Sequence, residues 1–457
     1  MNNRILNTII LVFISTTFQG QIDPNLSDQL QQILNQRVLW NGDHGVSATV
    51  IMPDGSVWNG YAGVGADDVQ VTDSMVFHGA STMKMNIAVL MVLLDEEGII
   101  DLDESWDTYV DLDVEFSQEI TIRQLIGNRS GIADYLEISG SGDYVTNDFN
   151  HQFTPQEILE DVVSDVADFE PGTDFWYSTS NFVLAAYIVS QVTGNAVEQE
   201  LRTRIWEPLG MTHTYFGGFE DYLEPRSGVW WNFGSGVNDY SLVSETSMLS
   251  YGSGGANMIS TPSDLAKFVR AVVGGTFLSE NAFNQLVQFS PDSYDDWSAG
   301  YGLGLHNAYA WGENSVLGHD GYFTNMTDMF HSLDNGFTLV TMTNTQTGWF
   351  AIFNDMYEEI STFIELNVAD SGMEYQMKVF PNPCSEILYV MSKNPIESNT
   401  TISIIDSNGK QVFVKNNSFA GSMVSIDVGD FQSGSYTLIY TNENGDLASQ
   451  RWLKTGE

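Results

Sequence analysis

"FHGASTMKMNIAVLMVLLDEEG", residues 77–98, is apolar almost all the way round a helix, yet a cation stands near its start. Lys84 is the only lysine in the first 266 residues. Burial disfavours a charged ammonium, so a lysine kept there needs a partner or a task. Ser81 lies three residues earlier, and side chains at i and i+3 share a helix face. A serine hydroxyl is a weak nucleophile until a base takes its proton. A free lysine, with a pKa of about 10.4, is neutral in only about one molecule in 2,500 at pH 7. Burial can supply the ~3 units of lowering that a base needs. The helix N-terminus beside Ser81 also favours a developing anion. The same spacing recurs at Ser407 and Lys410, but there it falls in the hairpin turn "DSNGK" with no apolar helix around it. On spacing alone a second reading stays open, a capping serine followed by a lysine that snorkels to water.

At 457 residues the chain is long enough for two or three domains. A hydrophobic content of 42% with 17% charged residues describes a globular protein. The formal net charge is −44, from 60 acidic and 16 basic residues, which argues against nucleic acid or an anionic membrane surface as partner. The one cysteine, Cys384, rules out an internal disulfide. Residues 1–20 read as a signal peptide: Arg4 supplies a short basic region, Ile5 to Ile14 an apolar one, and small or polar residues follow. That run is too short to span a bilayer, and nothing later is long and apolar enough, so no stable membrane insertion is expected. The seven histidines show no paired metal-ligand spacing, and no cofactor motif occurs, so neither metal nor cofactor is expected. "DLDESWD" lacks the glycine and terminal glutamate of a calcium loop.

Two hairpins frame the middle of the chain. "VSATVIMPDGSVWNGYAGVG" turns at Pro53-Asp54-Gly55, and "NMTDMFHSLDNGFTLVTMTN" turns at Asp334-Asn335-Gly336. The helix "LSDQLQQILNQRVL" precedes the first, and "WFAIFNDMYEEISTFIEL" follows the second, with helix-rich sequence between. The expected fold is α+β, one antiparallel sheet flanked by helices with a mostly helical lobe, over residues 21–368. Trp230 and Trp231 are read as core residues rather than a substrate cleft.

Near residue 370 the character changes to short β runs and turn signals, which predicts a small all-β sandwich over residues 369–457. This tail resembles the C-terminal sorting domain of type IX secretion in Bacteroidota. "VFPNPCSEILYV" matches its opening, "IIDSNGKQVF" its centre, "GSYTLIY" its penultimate strand and "RWLKTGE" its lysine-bearing end. The resemblance implies export to the cell surface or medium, with the type IX machinery as partner.

Residues 25–365 resemble the class C β-lactamase and D-Ala-D-Ala carboxypeptidase family, and most closely its carboxypeptidase and esterase branch. The landmarks follow in order: "MVFHGASTMKM", "LDESWDTYV", "ITIRQLIGNRSGIADY", "PGTDFWYSTSNFVLAAYIVSQVTG", "RIWEPLGMTHT", "GGANMISTPSDLAKFV", "YGLGL", and "LGHDGYF" in place of K-T-G. The resemblance implies a β-lactamase/transpeptidase-like fold and an acyl-transfer site. Ser81 is its nucleophile, Lys84 its base, and Tyr177 relays protons to the leaving group. His319 lines the pocket from an edge strand, and the backbone N–H groups of Ser81 and Tyr322 form the oxyanion hole.

Two positions depart from the family pattern. The tyrosine motif, usually Tyr-x-Asn, reads Tyr177-Ser178-Thr179, so Thr179 takes the substrate-binding place unless Asn181 substitutes for the missing amide. Asp320, between His319 and Gly321, stands where relatives carry threonine, serine or glycine, so the resemblance implies that Asp320 and Gly321 face the substrate and bring a negative charge to it, unless strand alternation turns Asp320 away or Arg226 reaches in from the other lobe. The expected activity is hydrolysis of an amide or ester bond in a small or short-peptide substrate, such as a D-amino-acid peptide. A carboxylesterase on the same scaffold, or a catalytically idle surface binding protein, remains as the alternative.

Overall fold

The computed structural model describes residues 20–454 apart from 41–43, 113, 115–118, 139–144, 146, 164–166, 233–236, 240–243, 291–292, 294–297, 309–315, 324, 346–349, 371–376, 381–386, 393–400, 407–409, 417–422 and 442–446. Residues 1–19, where the signal peptide is expected, Cys384 and Ser407 therefore lie outside the described residues.

Helix α1, Pro24–Trp40, puts Leu26, Leu30 and Leu34 one turn apart on a buried stripe. Strands β1 (Gly45–Ile51) and β2 (Val57–Gly63) form the first expected hairpin. Strand β3, Phe77–Ala80, runs directly into α2, Thr82–Glu96, and α3 follows at Ile122–Ile126. Helix α4, Thr179–Thr193, ends at Gly194, whose φ of 71° is the left-handed conformation that glycine adopts freely. Short strands β4 (Tyr215–Phe216) and β5 (Met258–Ser260) lead to α5, Pro262–Val273, which is capped by Thr261. Strands β6 (Ser298–Tyr301), β7 (His306–Ala308), β8 (Val316–Tyr322), β9 (Met326–Ser332) and β10 (Thr338–Thr343) precede α6, Ala351–Asp370.

Among the described residues the main sheet is antiparallel, in the order β2-β1-β10-β9-β8-β7-β6. Strands from the two ends of the lobe thus meet at its centre, with Val50 opposite Leu339. Residues alternate between the faces. Val46, Val50 and Leu339 pack under α1 and α6 with Met356 and Ile360, whereas Val340 and Met342 join Leu265, Phe268 and the α2 side chains. A second sheet, β3-β5-β4, carries the start of α2.

The edge-strand expectation for His319 is corrected here. Strand β8 lies inside the sheet, because β6 and β7 extend it by two strands. Strand β7 pairs only with Leu317 and Gly318, however, so the run from His319 to Tyr322 has no strand partner on that side among the described residues.

The tail folds as two sheets. Strands β11 (Met377–Phe380), β12 (Ile387–Ser392) and β15 (Met423–Asp427) form one, in the order β11-β12-β15. Strands β13 (Thr401–Asp406), β14 (Gln411–Asn416), β16 (Gly434–Thr441) and β17 (Leu447–Lys454) form the other, in the order β14-β13-β16-β17. Leu388, Val390, Ile402, Ile404, Leu438 and Trp452 fill the space between them. This core shares no residue with those of the preceding lobe among the described residues.

Candidate active site

The junction of β3 and α2 aims Ser81. Pairing with β5 slips between His78 and Ala80, and Ala80 has φ 45°. That conformation costs a residue with a Cβ of order 1–3 kcal/mol and persists only where its surroundings hold it. They do so here. The Thr82 hydroxyl donates to Gly79 O at 2.9 Å. The Thr327 hydroxyl donates to His78 O at 3.0 Å, and Asn325 Nδ2 donates to the same oxygen. Ser81 occupies the N-cap position of α2 without making a side-chain cap bond, so its hydroxyl is left for chemistry. The capping-serine reading fails on that point, and the snorkelling reading fails with it, because Lys84 has 0% exposure.

Three elements converge on the Lys84 ammonium. Its Nζ lies 3.2 Å from Ser81 Oγ, 2.8 Å from Gly255 O and 3.3 Å from Thr179 Oγ1. Position 255 must be glycine, because a Cβ there would sit 2.4 Å from Thr179 Cγ2. The Tyr177 ring lies 4.7 Å from Nζ. Burial lowers the Lys84 pKa from 10.5 to about 7, against the opposing charges of Asp134 and Asp320. Burial also pushes the Tyr177 hydroxyl well above the phenol range, helped by Tyr301 nearby, while a hydrogen bond with Ser81 pulls the other way. Tyr177 is therefore a neutral O–H donor at pH 7.

His319 closes the opposite side, its ring centroid 6.1 Å from that of Tyr177. Its Nε2 is 3.2 Å from the Tyr301 hydroxyl, and Nδ1 meets the Asp320 carbonyl. Burial lowers its pKa to about 3, aided by His306 and Lys84, so the ring is neutral. The expectation that Asp320 faces the substrate is corrected by strand alternation: Asp320 lies on the β8 face of Val316, opposite that of His319. There its carboxylate is held by His306 Nε2 at 2.8 Å and stays ionised, the effect of burial being outweighed by His306 and His319. Asp328, opposite it on β9, is pushed up to about 8 by burial. Gly321 has a packing reason. A Cβ there would lie 2.3 Å from Gly79 O, so β8 can cross the end of β3 only without a side chain. Tyr322 follows with its side chain 46% exposed.

Asn181 does not substitute for the missing amide. Its Nδ2 donates to Asn128 Oδ1 at 3.0 Å, and its Oδ1 accepts from the Ser130 hydroxyl at 2.5 Å. Thr179 is the residue of this motif that reaches Lys84, and it links Lys84 to Asp134, whose Oδ2 is 3.2 Å from Thr179 Oγ1. The sequence reading missed Asp134, Gly255, Tyr301 and His306. Three of these stand in landmarks quoted for other reasons, "GIADY", "GGAN" and "YGLGL".

Asp134 also lines a cavity of about 450 Å³ with Glu137, Asp168, Asp174, Phe175 and Trp176, an acidic and aromatic lining that includes neither Ser81 nor Lys84. Arg226 is not turned into the site; it pairs with Glu245 at 3.4 Å, alongside Tyr222 and His78. Trp230 is buried and stacks on His44 at 4.7 Å, whereas the Trp231 side chain lies outside the described residues. His306, His319 and Asp320 bring ligand-type atoms within 4.8 Å of one another. Those atoms already serve the His306–Asp320 and His319–Tyr301 contacts. No described helix is long and apolar enough to cross a membrane.

Comparison with known proteins follows the same division of the chain. The family model described as Beta-lactamase matches residues 32–360. The model described as Secretion system C-terminal sorting domain matches residues 378–454. Among solved structures, the D-amino acid amidase from Ochrobactrum anthropi SV3 complexed with L-phenylalanine amide superposes with a TM-score of 0.65 and 25% identity, over 74% of this chain and 99% of that one. The D-stereospecific amidohydrolase from Streptomyces sp. gives 0.63 and 26%, over 73% and 97%. Penicillin-binding protein 4* of Bacillus subtilis (strain 168) is 26% identical over 63% of this chain and 64% of its own length. A second Bacillus subtilis relative is matched over only 54% of its length, so the chain spans about half to two-thirds of these curated relatives.

Proposed function

The chain belongs to the beta-lactamase family of serine hydrolases, and from that premise we propose that it hydrolyses an amide or ester bond through an acyl-enzyme on Ser81. The observation that carries this reading is the Lys84 amine, with 0% exposure, 3.2 Å from Ser81 Oγ and with a pKa of about 7. Lys84 takes the Ser81 proton as Oγ bonds to the carbonyl carbon. The N–H groups of Ser81 and Tyr322 receive the oxyanion, a device usually worth several kcal/mol. Tyr177 hands a proton to the leaving amine or alkoxide as its bond to carbon breaks, and is reprotonated from Lys84. Water then releases the acid from Ser81 by the reverse route.

The substrate is a small amide or ester carrying a free amine, of the D-amino-acid kind. The names of the two amidase neighbours support the stereochemistry. The charge preference rests on the pocket. His319 is neutral, Arg226 is engaged by Glu245, and the charges of Asp134 and Asp320 both reach Lys84, so these groups offer no cation to a substrate carboxylate. Two like charges 4 Å apart cost about 4 kcal/mol at an effective dielectric of 20. D-phenylalanine amide is therefore expected to be turned over at least about 10-fold faster than its N-succinyl derivative, and an amidated D-Ala-D-Ala peptide faster than its free acid. Ammonia release and leaving-group assays on these twins check the expectation. Equal rates, or a preference for the carboxylates, would overturn it.

The tail, matched as a sorting domain, supports export through the type IX machinery after a leader at residues 1–20. Deleting residues 371–457 is expected to leave a cooperative melt and the hydrolytic rate of the remainder within about twofold, because the cores are separate. In the native host the same deletion is expected to stop the protein at the periplasm. Calorimetry, rates and fractionation check this; an insoluble or inactive remainder would show that the tail completes the catalytic lobe.

A further inference from the structure

The geometry points to Asp134 as a positioning residue that acts through Thr179 to aim the lone pair of Lys84 at Ser81. The inference rests on Ser81 and Lys84 acting as nucleophile and base, and it follows from counting hydrogens. A neutral amine has two N–H donors and one lone pair. Lys84 Nζ has three oxygen neighbours: Gly255 O, Thr179 Oγ1 and Ser81 Oγ. Gly255 O only accepts, so it takes one N–H. Thr179 has a single hydroxyl hydrogen, and its other neighbour, Asp134 Oδ2 at 3.2 Å, is a carboxylate oxygen that only accepts. The Thr179 hydrogen therefore goes to Asp134, and its oxygen must accept the second N–H of Lys84. The lone pair is left facing Ser81, which alone can donate to it. In Tyr-x-Asn relatives an amide stands at the Thr179 position; here a hydroxyl, which could point its hydrogen either way, is fixed by a buried carboxylate.

Asp134 is itself held in place. It is 7% exposed, and its Oδ1 accepts from Leu136 N at 3.0 Å as the cap of a short helical turn. Replacement by asparagine keeps this cap, since asparagine caps as well as aspartate does. It also offers Thr179 a donor in place of an acceptor. The Thr179 hydrogen is then free to turn toward Lys84 and occupy the lone pair. The charge change acts on the same amine. The ionisable groups that act on Nζ are Asp134 from the α3–α4 connection, Tyr177 from the start of α4, neutral His319 from β8 and, from the other face of β8, Asp320; the two carboxylates raise the Lys84 pKa against burial.

The test is the second-order rate of phosphonylation of Ser81 by a fluorophosphonate, in which Oγ bonds to phosphorus and fluoride leaves, measured from pH 5 to 10 on the full chain. Asp134→Asn is expected to lower the plateau rate about 10- to 100-fold, part of the 10²–10⁴ that a positioned base supplies, and to move the rising limb to lower pH. Thr179→Val, which deletes the hydroxyl, is expected to lose as much rate, and Thr179→Ser to restore it to within about threefold of wild type. The double variant Asp134→Asn/Thr179→Val is expected to lose no more than Thr179→Val alone, because both act on one hydrogen. Should Asp134→Asn fail to fold, the valine and serine pair carries the test by itself. An unchanged rate and limb in Asp134→Asn, or Thr179→Val as fast as Thr179→Ser, would overturn the inference. Failure of wild type to label at Ser81 would instead overturn the proposed function on which it rests.

Discussion

Replacing Ser81 with alanine is expected to lower kcat/KM on any amide or ester that the protein turns over by about 10⁴- to 10⁶-fold, the range seen when a covalent nucleophile is removed. The loss is large because the rest of the site is built around that oxygen. In the proposed mechanism Lys84, Tyr177 and the N-terminus of α2, all beside Ser81 Oγ, act on that oxygen or on the charge that forms next to it. The residual rate reports oxyanion stabilisation and binding alone. The fold is expected to survive, since Ser81 makes no side-chain cap bond to α2 and truncation to alanine removes one partly exposed oxygen. Steady-state kinetics with a melt of each variant checks both halves. A variant that keeps more than about one-hundredth of the wild-type rate would exclude Ser81 as the covalent nucleophile.

Lys84→Arg is expected to cost about 10³- to 10⁴-fold in kcat/KM, close to the whole contribution of a positioned general base. Arginine keeps the cation and offers donors to Gly255 O and Thr179 Oγ1, but it does not give up its proton in proteins. The wild-type pH profile supplies the complementary evidence. With a pKa of about 7 the folded Lys84 is half neutral near pH 7. A free lysine is neutral there in only about one molecule in 2,500. The base is the deprotonated form, so kcat/KM is expected to rise about tenfold per pH unit below 7 and level off above it. The chain's charge of −44 favours the ammonium, so added salt is expected to move the limb to lower pH. His319, with a pKa of about 3, and Tyr177, held well above the phenol range, do not titrate within that limb. A flat profile from pH 5 to 9 would contradict the role of Lys84.

How much of this was legible in the sequence depended on the kind of atom involved. Lys84 could be read directly, because a charged side chain in an unbroken apolar helix breaks a strong pattern. The hairpins were legible because β1–β2 and β9–β10 alternate over six or seven residues about clear turn residues. Strands β6 and β7 were not. They are four and three residues long and are joined by the glycine-rich "YGLGL", too short for alternation to register, and the edge of the sheet was misplaced by two strands as a result. Tyr177 and His319 carried no signal of their own and were found only through the order of motifs. The Asn181 alternative failed for a helical reason. Two residues along a helix is about 200° around it, so Asn181 turns from Lys84 toward Asn128 and Ser130. Gly255 contributes a backbone oxygen, which no residue identity announces. Asp134 is one aspartate among 60 acidic residues, and only its position behind Thr179 distinguishes it. Asp320 was expected to face the substrate, but strand alternation sets it on the face opposite His319, and its partner His306 lies fourteen positions away on a strand that the pattern hid.

The most direct test of the account is to find which residue carries the covalent adduct. Full-length protein treated with a fluorophosphonate, or trapped by acid during turnover of a slow ester, would be digested and mapped by tandem mass spectrometry. The account predicts a single adduct, on Ser81, formed at a rate that rises through pH 7 and absent from Ser81→Ala. Recovery of the adduct on any other residue, or steady turnover in a protein that never carries one, would contradict it.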